Sequence, residues 1–164
     1  MNFFDPTFQE PPISVFPFGL CDDEDGQIAY TDTANKKKWI ATVQSEKPLQ
    51  VIFTAIDKGV IKDNEYQGRG RCDGMLTTDR HIYFVELKCK SAEWKADAAL
   101  QLESTIQLFN DAHPGKIDTY KHKKAYACNK KHPDFKVIDT GLKKRFFEIT
   151  RVHLDTQAEI KFSN

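Results

Sequence analysis

Residues 81–89 read His-Ile-Tyr-Phe-Val-Glu-Leu-Lys-Cys, and this segment constrains the chain most. Side chains alternate across a strand. Tyr83, Val85, Leu87 and Cys89 therefore share one face, which is apolar. Ile82, Phe84, Glu86, Lys88 and Lys90 share the other, which starts apolar and turns charged at its C-terminal end. A carboxylate and an ammonium two residues apart, on one side of so hydrophobic a strand, need a reason. Strand ends at the rim of a sheet are where sites are commonly built.

The preceding residues supply a partner. Residues 71–77 (Arg-Cys-Asp-Gly-Met-Leu-Thr) read as a strand, Thr78-Asp79-Arg80 as a turn, and 81–89 as the returning strand of a hairpin. Antiparallel pairing about that turn sets Asp73 against Glu86. Two neighbouring carboxylates repel, and one of them takes up a proton unless a cation intervenes. Mg²⁺ prefers carboxylate and carbonyl oxygens, so Asp73, Glu86 and the Leu87 carbonyl form a candidate ligand set. Such a cation acidifies a water that can attack phosphorus. Lys88 would orient that water or steady charge growing on a phosphate.

The remaining pattern is α/β. Residues 49–57 (LQVIFTAID) read as a buried strand. Ser91 is placed to cap a helix with Glu93 in its first turn, and Trp94, Ala98, Leu102, Ile106 and Phe109 recur at helical spacing. His113-Pro114-Gly115 stop it. Lys123–Cys128 reads as a strand, Asp139 or Thr140 can cap a helix through Phe147, and 151–162 closes in extended form with Leu154, Ile160 and Phe162 inward. Thr31, Asp32 and Thr33 can cap a helix through Ala-Asn-Lys-Lys-Lys-Trp, and Trp39–Val43 either continues it or becomes a strand. The expectation is a mixed central sheet flanked by helices, in one domain over 31–164.

Residues 1–30 are expected to be an irregular acidic arm, because Pro6, Pro11, Pro12 and Pro17 interrupt regular structure. Phe3, Phe4, Phe8, Phe16 and Phe18 would tack it to the domain surface or present it to a partner. Cys21-Asp22-Asp23-Glu24-Asp25-Gly26 is not an EF-hand loop, because position 1 would be Cys21 and position 12 Asp32; an acidic turn is expected instead. The four cysteines show no CxxC pair and read as free thiols of a cytoplasmic protein. The sequence MNFFDPTF has no signal-peptide pattern, and no apolar run is long enough to span a membrane.

Formal net charge is zero but unevenly placed. Residues 1–35 hold seven acids and no Lys or Arg, whereas 113–164 hold twelve Lys or Arg against six acids. Lys121, Lys123, Lys124, Lys130 and Lys131, interleaved with Tyr120, Tyr126 and Phe135, are candidate phosphate contacts. Nothing here reads specific bases.

Asp73, twelve intervening residues, and Glu86-Leu87-Lys88 resemble the signature of the PD-(D/E)XK nuclease superfamily, with Cys72 where the motif name has proline. The element order from about 31 to 128 is similar to that family's core. The resemblance implies a restriction-endonuclease-like sandwich and hydrolysis of phosphodiester bonds, usually in DNA, endo- or exonucleolytic. It implies Mg²⁺, with Mn²⁺ as a substitute, on Asp73 and Glu86, and Lys88 as the catalytic lysine. Gln101, thirteen residues after Lys88, resembles a glutamine that some branches send into the site; a solvent-facing glutamine is the alternative. A further acid often comes from the first helix, where Glu46 is the nearest candidate and Asp57 a rival. The alternative function is a catalytically silent module of the same fold that binds nucleic acid or a protein partner, as a homodimer or in a larger complex.

Overall fold

Thr78 closes the turn that organises the fold. Its N–H donates to the His81 carbonyl at 3.0 Å, and its hydroxyl accepts the N–H groups of Arg80 and His81. The computed structural model describes residues 1–133 and 139–163. In chain order its strands and helices are β1 (Phe18–Cys21), β2 (Tyr30–Asp32), β3 (Ala41–Ser45), β4 (Ile52–Ala55), β5 (Gly74–Thr77), β6 (His81–Lys88), α1 (Lys95–Ala112), β7 (His122–Asn129), α2 (Thr140–Thr150), β8 (His153–Asp155) and β9 (Glu159–Phe162).

The protein is α/β with two mixed sheets. One has the order β4-β5-β6-β7-β8. Its first three strands run antiparallel, α1 carries the chain to β7 parallel to β6, and α2 carries it to β8 parallel to β7. The other has the order β2-β1-β3-β9, with β3 and β9 parallel and the remaining pairs antiparallel.

The alternation in β6 separates two cores. Ile82 and Phe84, with Met75, pack against Ala98, Leu102, Ile106 and Phe109 of α1 and Phe146 of α2. Tyr83, Val85 and Leu87 pack against Phe18, Leu20, Val43 and Ile160 of the second sheet. Burying each of the Leu, Ile, Val, Phe and Met side chains among these stabilises the fold by about 1.5–3 kcal/mol. Helices therefore cover one face of the five-stranded sheet and a second sheet covers the other, where the expectation was one central sheet flanked by helices.

The N-terminal residues match the expected arm only in part: 1–17 are largely irregular and Phe3, Phe4, Phe8 and Phe16 pack on the domain, but the segment that follows is strand. Residues 18–21 are strand β1, between β2 and β3, and Phe3 and Phe18 are fully buried. The expected helix after Thr33 is only a 3-10 turn, Lys36–Lys38, capped by the Asn35 side chain accepting Lys37 N–H. Trp39–Val43 enters strand β3, the second of the two readings open for it. Ser91 does not cap α1: Glu93 has φ +55, Trp94 holds the cap position, and Asp97 lies in the first turn. Asp139 does cap α2, its carboxylate accepting Leu142 N–H at 3.0 Å. Asp22 and Asp25 accept main-chain N–H groups two residues ahead, which makes 22–27 the acidic turn expected. Among the described residues, no helix is long and apolar enough to cross a membrane.

Candidate active site

Register brings the two acids together. Gly74 pairs with Val85, and Asp73 N–H donates to the Val85 carbonyl at 3.1 Å, so Asp73 lies beside Glu86. Gly74 is required here because a Cβ would stand 2.3 Å from the Phe53 ring. Asp73 Oδ2 accepts the Leu87 N–H at 2.7 Å. In a strand the N–H and C=O of one residue point to the same edge, so the Leu87 carbonyl faces the Asp73 side.

Glu86 is 2% exposed and its Oε1 has no hydrogen-bond partner. Its Oε2 lies 3.1 Å from Lys88 Nζ. Burial pushes the Glu86 carboxyl well above its ordinary value, and Asp73 adds to this more than Lys88 offsets. Burial likewise raises Asp73 to about 6, opposed by the Leu87 N–H. The pair holds a proton between its carboxyls as pH falls.

Lys88 is 9% exposed. Its ammonium donates to Gln101 Oε1 at 2.6 Å and to Asp97 Oδ2 at 3.1 Å. Burial alone would lower its pKa, but Glu86 and Asp97 outweigh this and the group stands above the usual lysine value. Gln101 thus points into the site rather than to solvent, and α1 supplies two residues one turn apart. Asp97 escaped the sequence reading; its signal was the spacing of four from Gln101 on one helix face.

The loop ahead of β5 supports this arrangement. Thr105 Oγ1 accepts the Cys72 N–H at 2.7 Å and donates to the Gln101 carbonyl at 2.8 Å. Arg71 Nε lies 2.9 Å from Asp57 Oδ1, off the line of a hydrogen bond, and Arg71 also pairs with Asp63. Asp57, whose N–H donates to the Cys72 carbonyl, stands at this end of the sheet and its charge adds to the rise at Asp73, as does that of Asp22. Asp22 follows β1, and no local signal could have placed it here. Glu46 is exposed just beyond β3, beside Glu159 and Lys161, away from Asp73.

The basic segment divides. Lys123 and Lys124 pair with Ile82 and Tyr83 at the start of β6, and Lys121 precedes them. Lys130 N–H donates to the Lys88 carbonyl, so Lys130 and Lys131 stand at the site end. Tyr126 and Tyr120 are buried, and Phe135 lies outside the described residues.

Among the described residues no three His, Cys, Asp or Glu side chains form a metal cage. Two carboxylates, one with an orphaned buried oxygen, and a main-chain carbonyl are donors of the kind Mg²⁺ takes, so Asp73, Glu86 and Leu87 would hold it with water filling the rest of its shell. Comparisons with protein-family models, curated proteins and solved structures find no match to this chain.

Proposed function

We propose that this chain is a metal-dependent nuclease of the restriction-endonuclease-like class, hydrolysing phosphodiester bonds, with DNA the first substrate to test. The observation that carries the reading is the buried, unpartnered Glu86 Oε1 beside Asp73, with the Lys88 ammonium on the other oxygen. The order of three antiparallel strands, a helix and a parallel strand resembles that class and supports the same reading.

Asp73, Glu86 and the Leu87 carbonyl would hold Mg²⁺, which supplies Lewis-acid polarisation of phosphate and acidification of water. The protein's own groups do the rest. The Leu87 N–H fixes one Asp73 oxygen. Lys88 is a held cation, so it steadies charge on a phosphate rather than taking a proton. Asp97 and Gln101 fix where that charge sits. The same three acceptors already satisfy Lys88 without substrate, which is what a silent binding module would also show.

Cleavage assays separate the two. Plasmid, linear duplex, single-stranded DNA and RNA are incubated with Mg²⁺ or Mn²⁺ and wild type, Asp73→Ala or Lys88→Ala. Metal-dependent cutting lost in both variants supports the nuclease. No cutting of any substrate by wild type leaves the silent module.

A further inference from the structure

Lysines from two distant parts of the sequence meet beside the site. Lys36, Lys37 and Lys38 form the exposed 3-10 turn that leads into β3. Lys130 and Lys131 are exposed at the exit of β7. The Lys130 ammonium donates to the Lys37 carbonyl, which ties the two groups together. The Lys130 main chain in turn bonds the Lys88 main chain at 2.9 Å. Lys36 Nζ is held 5.8 Å over the Trp39 ring. Lys38 adds to the acidity of Asp32, after the Asn35 N–H and the Trp39 indole, and Lys36, Lys37, Lys130 and Lys131 are the other exposed lysines of this cluster.

We propose that these four lysines form one ridge that seats the phosphate backbone of a nucleic acid crossing the Asp73–Glu86–Lys88 site. This deepens the nuclease reading and rests on it for the choice of ligand. Lysines along a ridge neutralise successive phosphates without reading bases. The neutral total charge of the chain argues for such a local surface over general attraction. The ridge adjoins the C-terminal end of β6, whereas Lys121 and Lys124 lie at its start, about 20 Å away at 3.3 Å per residue. They make an internal control.

The test is fluorescence anisotropy in EDTA with a labelled duplex of about 20 base pairs and its single strand, between about 50 and 200 mM salt. It uses full-length Asp73→Ala protein, which removes one acid and keeps the substrate intact. Adding Lys36→Gln/Lys37→Gln, or separately Lys130→Gln/Lys131→Gln, is expected to weaken binding about tenfold and flatten the salt slope by about 1–2. Lys121→Gln/Lys124→Gln is expected to change affinity less than about twofold. The ridge is overturned if the parent protein does not bind, if the ridge variants bind as it does, or if the control pair weakens binding equally. It is also overturned if poly-glutamate or anionic vesicles bind the ridge as tightly as the oligonucleotides. Ridge-dependent binding by a wild type that never cuts removes the nuclease and keeps the ridge. Cutting by wild type, with ridge variants binding normally, does the reverse.

Discussion

Thr105 on α1 accepts the main-chain N–H of Cys72 at 2.7 Å, one residue ahead of Asp73. Both residues are fully buried. The same hydroxyl donates to the Gln101 carbonyl. One side chain therefore couples the entry to β5, which carries an acid, to the helix that holds Lys88. Thr105→Val keeps the shape and leaves the Cys72 N–H without a partner. The expected cost is about 1–3 kcal/mol in urea unfolding, with Thr105→Ser restoring most of it. Equal stability of Thr105→Val and wild type would show that the bond positions nothing.

The acid pair sets a pH dependence. Both carboxyls stand above their ordinary values, Asp73 at about 6, so the folded state keeps protons that the unfolded chain loses. That stability is fully present below pH about 4 and is lost as pH rises through about 6 and beyond. At pH 8 without metal, Asp73→Asn or Glu86→Gln is expected to be more stable than wild type, by on the order of 1–3 kcal/mol. Thermal melts in EDTA across pH check the sign. A variant that is less stable at pH 8 and equal at pH 5 would contradict it.

Lys88 is the cation that partly offsets the pair. Lys88→Met is expected to abolish cutting and to destabilise the metal-free protein by up to about 3–5 kcal/mol at high pH. The loss should shrink below pH about 6, where the carboxyls are protonated. Denaturant melts at two pH values measure this. A loss independent of pH would indicate a packing role alone.

Asp97 is well exposed, with 58% of its side chain open, yet it bonds the Lys88 ammonium. Asp97→Asn should alter stability by no more than about 1 kcal/mol. Its expected effect is on positioning: kcat falls about tenfold with KM nearly unchanged. A rise in KM alone would place Asp97 on the substrate path instead.

The hairpin and site were legible because their signals are local. Alternation in 81–88 and a turn at 78–80 set the register of Asp73 against Glu86, whereas Gln101 was suggested only by the family resemblance, with a solvent-facing side chain left open, and its bond to Lys88 places it. The second sheet was not legible. Strand β1 has four residues close behind Pro17, and it is a strand only because β2 and β3 pair with it. Asn35 caps a 3-10 turn where the lysines suggested a longer helix. Asp22 reaches the neighbourhood of Asp73 through that unseen strand. The basic run looked continuous in sequence, but an eight-residue strand spreads it along the molecule.

Most directly at issue is whether Asp73 and Glu86 are a divalent-cation site or a permanently protonated pair. Calorimetric titration of Mn²⁺ at pH 8, in buffers of different ionisation enthalpy, distinguishes them. The expected result is binding by wild type with release of protons and no binding by Glu86→Gln. Equal binding by both proteins, or none by wild type with or without an oligonucleotide, would contradict the cation site.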